Sequence, residues 1–357
     1  MRAVLAICLG FVLAAVVAEI VLRQLPVTSS LRLLPVDATQ PILHGTPHLA
    51  YTYSVGWDLR AVQRGRLNNW GFNSGRDYRR EVPPPIALIG DSYVQASAIA
   101  QGQDLAALLD RSMAAPGHVY GFGVSGAALA DYLAISQWAH ATFNVGRVLL
   151  LLTGDDIAAS VHAKPGGYHL AEHAGEYVLT RSDNPRRYFV LAEWLNRSAL
   201  FRYCFDNLQF AATLMQRAPT PKLAVFRPPR PAITQLPAAT AAACPPADPH
   251  EQRLLAYFVR ALTALQAGGV EVELIIDPPR RFGGVSPAGC PPDLERLAAA
   301  AEPAGITVHR LREVFADAAS RGVRLDFLPA DAHWTAAAHA LAAAQIARDN
   351  GWQTPVR

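Results

Sequence analysis

Five consecutive apolar residues, Val148-Leu149-Leu150-Leu151-Leu152, constrain this chain more than any other feature. A strand with one wet face alternates apolar and polar residues, so an unbroken run asks for cover on both faces. Sheets covered twice are parallel sheets flanked by helices. Shorter apolar runs repeat the theme, and helix-length stretches separate them. Strand Ile86 to Gly90 leads to a helix over 104–115, and strand His118 to Phe122 leads to a helix over 127–142. Arg147 to Thr153 is the third strand. Further on, a helix over 250–267 precedes strand Val270 to Ile276, and a helix over 292–303 precedes strand Ile306 to Leu311. A last helix runs from Thr335 to Asp349. This order predicts an α/β, doubly wound parallel sheet of about five strands with right-handed crossovers.

Two segments fall outside the alternation. Residues 24–85 form a lead-in of little periodicity that ends in the rigid Pro83-Pro84-Pro85. Within it, Leu67-Asn68-Asn69-Trp70-Gly71-Phe72-Asn73 reads as a structural turn near the first strand. Residues 158–249 read as an insertion after the third strand, with a helical run over 189–216 and a Pro/Ala-rich stretch beyond it; it is a candidate lid or substrate wall. The α/β domain itself then comprises 86–157 and 250–350. At 357 residues and 51% hydrophobic content the chain can bury a full core as one elaborated domain.

The first 23 residues stand apart. Ala3 to Leu22 is uncharged and apolar apart from Glu19, a length that suits a membrane span of ~20 residues better than a signal-peptide core of about 7–15. An uncleaved anchor is the preferred reading, with a signal peptide cleaved after Val16-Val17-Ala18 as the alternative. Either places the main domain outside the cytoplasm. A net charge of +3 is too small to argue for nucleic acid or an acidic polymer, and no nucleic-acid partner is expected. Cys244 and Cys290 each precede Pro-Pro and form the candidate disulfide, a pairing sequence alone leaves open. No cysteine–histidine spacing suggests zinc, and nothing in the sequence calls for a cofactor.

Chemistry gathers at strand ends. Gly90-Asp91-Ser92 follows the first strand, and ligands of open α/β sheets sit outside the carboxyl ends of strands. A serine there needs a base, which His333 can supply near neutral pH, and Asp331 could orient that imidazole. Taken singly, His333 reads as a helix-start histidine and Asp331 as a helix cap. Their joint placement, after a pattern that begins with Gly-Asp-Ser, points to a nucleophile, base and orienting carboxylate.

On these residues the chain resembles the SGNH (GDSL-type) hydrolase and acyltransferase superfamily, which implies a flavodoxin-like sheet. It looks most like the membrane-anchored bacterial branch that includes alginate-type O-acetyltransferases. Gly90-Asp91-Ser92 matches the motif whose serine is nucleophile and first oxyanion donor. Gly123, within Gly121-Phe122-Gly123-Val124-Ser125-Gly126, matches the glycine that gives a second backbone donor. Asp331-Ala332-His333-Trp334 is similar to the Asp-x-His-Trp form of the acyltransferase-like members, and His339 matches a helix position there whose simplest role is packing. The resemblance covers about 65–157 and 250–348 and leaves the insertion unmatched.

One position departs from that pattern. After the third strand the superfamily usually carries an asparagine whose amide donates to the oxyanion; here Thr153-Gly154-Asp155-Asp156 puts Asp155 in its place. An ionised carboxylate only accepts hydrogen bonds, and losing one donor costs on the order of 3 kcal/mol. A protonated Asp155, a different donor, or weak or lost hydrolysis would each reconcile the change. Asp156 reads as a structural cap.

The resemblance implies an extracytoplasmic, inner-membrane-anchored, periplasmic serine enzyme acting on O-acetyl esters of an envelope or exported polysaccharide. Water as acceptor makes it an esterase, and a sugar hydroxyl makes it an acetyltransferase. Its partners would be an acylated glycan or other acyl ester, and polysaccharide-modification proteins of the envelope. Tyr93, Trp334 and the tyrosines of 168–188 could stack on a sugar, with core packing as their default. The alternative is a catalytically weak or inactive protein of the same fold that binds or scaffolds glycan.

Overall fold

The structure is a computed structural model that describes residues 2–29, 31, 33–81, 85–114, 117–184, 186–208, 248–281, 284–285, 292–327 and 331–352. At 186–188, 280–281, 284–285, 292 and 331 only the backbone is described. The proposed Cys244–Cys290 pair lies outside these residues, whereas Cys8 and Cys204 are free thiols.

The continuous apolar runs become the strands of one parallel sheet. β3 (Ile86–Gly90), β4 (Val119–Gly123), β5 (Arg147–Leu152), β8 (Glu271–Ile276) and β11 (Thr307–Arg310) stand in the order β11-β8-β5-β3-β4. Every pair is parallel. Numbered along the sheet this is the flavodoxin order 2-1-3-4-5, with its switch point between β3 and β5. Alternate side chains of β5 serve opposite faces, as a strand's period of two requires. Val148, Leu150 and Leu152 join the cluster built with α4 (Leu129–Phe143), α8 (Pro249–Ala267) and α9 (Pro292–Ala301). Leu149 and Leu151 join the cluster of α3 (Leu105–Ser112), α10 (Arg312–Ser320) and α11 (Ala336–Asp349). The Leu149 to Leu152 side chains are wholly buried, as the sequence demanded. The fold is α/β with helices on both faces of the sheet.

The lead-in is more ordered than its sequence suggests. β1 (Ala50–Val55) and β2 (Arg60–Arg66) form an antiparallel hairpin. β2 reads Arg-Ala-Val-Gln-Arg-Gly-Arg and buries no residue fully, so it carries no apolar alternation to announce it. The turn over 67–73 is structural, as expected: Asn68 Oδ1 accepts from Trp70 N and Phe72 N at 2.9 and 3.0 Å. Trp70 meets Trp138 and Phe143 of α4 edge-on. The rest of the lead-in closes the open edge of β4. Tyr78 Oη donates to Gly121 O and accepts from Gly121 N, at 3.0 and 2.8 Å. Arg76 donates to Val119 O, and Tyr78 stacks on Tyr120 with ring centroids 4.1 Å apart. Satisfied in this way, the edge strand offers no template for another chain.

The described part of the insertion starts beyond α5 (Asp156–Ala159) with an antiparallel hairpin, β6 (Tyr168–His173) and β7 (Glu176–Arg181). Leu170 and Tyr177 sink into the α4/α8 cluster, and Tyr177 Oη lies 2.7 Å from His250 Nδ1 on α8. Then come α6 (Arg186–Asn196), α7 (Ala199–Arg202) and a π turn over Tyr203–Asn207. These replace the described part of the expected long helix. Ser198 breaks it by capping α7 through Phe201 N. The expected helices after β8 are present, and α10 is an addition. A two-residue pair, β9 (Arg280–Arg281) with β10 (Gly284–Val285), follows β8. Before α11, β12 (Asp326–Phe327) pairs with β13 (Asp331–Trp334), so His333 lies on a short strand rather than at a helix start.

α1 (Arg2–Gln24) is a single helix whose residues 2–17 are all exposed. Its other end is tied to the domain through Glu19. That carboxylate accepts from Ser198 Oγ, Ala199 N, Leu200 N and Arg23 Nε, at 2.7–3.0 Å. The one charge that interrupts the apolar run therefore satisfies backbone N–H groups at the start of α7, which a helix terminus cannot satisfy by itself.

Candidate active site

β3 ends at Gly90, and the chain turns at once into the short helix α2 (Ser92–Gln95). Asp91 is its N-cap, with Oδ1 accepting from Tyr93 N at 2.9 Å. The helix stops at Ala96, which is left-handed at φ 49°. Ser92 is the first residue of α2, at the carboxyl edge of the sheet and beside the switch point, and it is half-buried.

Two neighbours fix where α2 lies. A Cβ built on Gly123 would come within 2.1 Å of Gln95 N and 2.5 Å of Val94 C, so only glycine lets the helix rest there. Val124 N, not Gly123 N, donates to Gly90 O. By the alternation of a parallel ladder, Gly123 N–H then points off the sheet edge and is not used by β3. From the lead-in, Asn73 Nδ2 donates to Gln95 O at 2.6 Å, while its Oδ1 accepts from Tyr51 Oη and Gln101 Nε2. The lead-in turn thus holds the far end of the serine helix.

His333 comes to the same place from the other end of the chain. Tyr93 Oη donates to Ala332 O at 2.9 Å, and its ring lies 5.2 Å from the His333 ring and 5.7 Å from that of Trp334. The residue that follows the candidate nucleophile therefore touches the strand of the candidate base. Behind His333, Trp334 is buried and donates Nε1 to Asp277 Oδ1 at 3.2 Å. His339 is buried edge-on to Trp334 at 5.2 Å, so both fill packing positions. Burial, aided by the charge of His333, pushes the His339 imidazole down to about 3, which keeps it neutral beneath the site. The backbone of Asp331 pairs with Phe327, and its side chain lies outside the described residues.

A carboxyl network underlies the switch point. Thr153 Oγ1 donates to Asp91 Oδ2 at 3.2 Å, and Thr153 N donates to Asp156 Oδ2 at 2.7 Å. Tyr132 Oη of α4 donates to the same Asp156 oxygen at 3.1 Å. Burial raises the Asp91 carboxyl, against the lowering from Tyr93 N–H, the charge of His333 and the Thr153 hydroxyl. Burial and the charge of Asp91 push Asp156 well above the usual carboxylate range. The two buried acids cannot both ionise at low cost, and Asp156, the more enclosed, keeps its proton to higher pH. Asp156 thus carries more than the cap expected of it, while Asp155 occupies the N-cap position of α5 without a side-chain cap bond.

Asp155 itself is exposed, outside any apolar setting. Beside the glycine loop, Lys164 Nζ donates to Gly126 O at 2.5 Å and pairs with Asp131 Oδ2 at 2.6 Å, tying the start of the insertion to Gly126. Ser92, Gly123 and His333 are thus gathered on three adjacent elements, with Asp155 on the next loop. The sequence reading passed over Asp91, Thr153 and Asp277 as site supports. The signal for Asp277 was available: a carboxylate directly after an apolar strand of a parallel sheet. Among the described residues no three His, Cys, Asp or Glu side chains come together as a metal site.

No family model matches the chain, and no curated protein matches it. Among solved structures, a member of the lipolytic protein G-D-S-L family from Veillonella parvula is 13% identical, with 74% of this chain and 96% of that one covered at a TM-score of 0.38. An alpha/beta hydrolase from the metagenome of Lake Arreo, Spain, is 14% identical, with 77% and 97% covered at a TM-score of 0.38.

Proposed function

We propose that this chain is a serine-dependent O-acyl esterase or O-acetyltransferase of the SGNH (GDSL) type. The observation that carries the reading is the junction of α2 with β13, where Tyr93, next to Ser92, is bonded to Ala332 and lies against His333. Ser92 Oγ attacks the acyl carbon while His333 takes its proton, and Asp331 orients the imidazole. The backbone N–H groups of Ser92 and Gly123 receive the oxyanion. Collapse of the tetrahedral intermediate expels the alcohol, which regains the proton from His333. Water or a sugar hydroxyl then attacks the acyl-enzyme, giving hydrolysis or transfer. With α1 as an inner-membrane anchor, the domain works in the periplasm on acetyl groups of an envelope or exported polysaccharide, beside other polysaccharide-modification proteins.

A second reading has one specific observation behind it. Asp155 places an exposed acceptor where an oxyanion donor is usual, which favours a weak or inactive glycan-binding scaffold. The test is acetate release from a chromogenic acetyl ester by the full chain in detergent, compared with Ser92→Ala. Serine-dependent release supports catalysis. Release equal to that of the alanine variant, with sugar acceptors present as well as absent, rejects it in favour of the scaffold.

A further inference from the structure

Most of the large apolar side chains that the described residues leave exposed are grouped. Among the described residues outside α1, seven are more than two-fifths exposed; Val178 stands apart on β7, and the other six are Leu25, Trp57, Val190, Leu191, Trp194 and Phe205. Leu25 follows the last turn of α1, and Phe205 lies in the π turn. The loop of Trp57 is held to that turn by Tyr203 Oη donating to Trp57 O at 2.7 Å. On α6, Val190, Leu191 and Trp194 share one helical face at spacings of three and four, while Phe189 on the other side is buried. All six therefore lie on elements joined to the carboxyl end of α1, and Trp194 is the most exposed of them at 67%. Monomeric proteins keep isolated exposed apolar residues, but a collection on linked elements marks a contact surface.

What covers this surface is indicated by α1. The 17 residues from Arg2 to Ala18, ahead of Glu19, make roughly 26 Å of helix, the short end of what crosses a bilayer core of ~30 Å, and residues 2–17 are all exposed. Glu19 fastens its last turns to the start of α7, and Leu22 and Val27 pack on Ala199. Whatever surrounds α1 must therefore meet α6, α7 and the Trp57 loop where the helix leaves it. Tryptophan on these elements suits a bilayer interface, where an aromatic body and a polar N–H are both accommodated. Arg23 and Arg197, each more than half exposed, border a cleft of about 380 Å³ at the same junction. Long basic side chains at such a level reach headgroups with their stems on apolar surface.

We infer that α6, with Leu25, Trp57 and Phe205, is an interfacial foot that lies in the headgroup layer and sets the domain against the membrane, with Glu19 as its latch. The inference rests on reading α1 as an uncleaved span, and the experiment separates the two. The full chain is reconstituted into phosphatidylcholine vesicles brominated near the top of the acyl chains, and flotation and tryptophan emission are both measured. α1 contains no tryptophan, so quenching reports the domain alone. Trp138 and Trp334 are buried in the core, out of reach of lipid. Emission should be quenched by the shallow bromines, and Trp57→Phe with Trp194→Phe should remove most of the quenching while the protein still floats. A chain that floats without quenching, or a double variant quenched like the parent, overturns the foot and leaves the anchor standing. A chain that does not float overturns the anchor and the foot together, whatever its esterase activity.

Discussion

Gly123→Ala tests the site more sharply than deleting the nucleophile, because it displaces Ser92 relative to His333 and to the Gly123 oxyanion donor without removing any of the three groups. The added Cβ would sit 2.1 Å from Gln95 N and 2.5 Å from Gln95 Cα and Val94 C. These are backbone atoms, so no side chain can swing away to relieve the contact. α2 must retreat from β4 by roughly 1 Å, a misplacement that costs about 10²-fold in rate when it carries a reacting group. Overpacking of this kind costs ~1–3 kcal/mol of stability, a fall of several degrees in Tm for a domain of this size. The protein stays folded at assay temperature while Ser92 loses its alignment with His333. Gly75→Ala is the control, since a Cβ there meets nothing within 4 Å. The measurements are kcat/KM on a chromogenic acetyl ester and a thermal melt. If Gly123→Ala retains the parent's kcat/KM although it melts lower, then α2 does not carry the nucleophile and the assignment of Ser92 fails.

Three further outcomes are expected. Tyr93→Phe removes the bond to Ala332 O, worth about 0.5–1.5 kcal/mol; kcat should drop more than KM changes, and unchanged kcat would mean the contact does not align the base. Asp155→Asn restores an amide at the departing position and should raise kcat by about 10²-fold if it reaches the oxyanion; an unchanged or lower kcat places the donor elsewhere. His309, wholly buried on β11, lies 2.7 Å from Glu273 and 2.8 Å from Asp349. Burial alone would lower its pKa, but those two carboxylates outweigh it and raise the imidazole, while Glu273, despite its own burial, is lowered by His309, Asn350 and Arg147. A raised histidine stabilises fully below its unfolded pKa of ~6.5 and loses that as pH rises through the folded value; a lowered glutamate stabilises above ~4.5 and loses it as pH falls. Tm should therefore decline on the alkaline side, and His309→Gln should flatten that limb; an unaltered alkaline limb would show that His309 is not the group that titrates.

The legible parts of this fold are those whose burial is two-sided. β3, β5 and β8 announce themselves as apolar runs because helices cover both faces, and the parallel sheet followed from their alternation with helices. What stayed hidden had no such signature. β2 buries no residue fully, α10 carries only Phe315 and Ala318 as buried positions, and β12 and β13 are two and four residues long. In the site, Ser92, Gly123 and His333 could be named from local motifs. Apart from Asp277, their supports could not, because each joins residues remote in sequence: Tyr93 reaches Ala332 across 239 positions, and Thr153 reaches Asp91 across 62. Glu19 is the plainest case. In the sequence it is a blemish in an apolar run, and its partners at Ala199 and Leu200 are about 180 residues away.

Those remote bonds also form a continuous path from the anchor to the serine helix. Glu19 holds the start of α7, and the π turn that follows ends at Asn207. Asn207 Nδ2 donates to Ser54 O and Oγ on β1 at 3.0 and 2.9 Å, while its Oδ1 accepts from Thr28 N. On the same strand, Tyr51 Oη donates to Asn73 Oδ1, and Asn73 Nδ2 reaches Gln95 O at the end of α2. Every step joins a segment outside the α/β domain to the next, so the lead-in and insertion are structural parts of the site rather than appendages. Removing the first 23 residues would delete the Glu19 carboxylate and leave the Ala199 and Leu200 N–H groups of a half-buried turn without their acceptor, at a cost of about 1–3 kcal/mol each if water does not replace it. A truncated domain is therefore the wrong starting material for measuring activity. The physical unit that positions Ser92 begins inside the apolar helix.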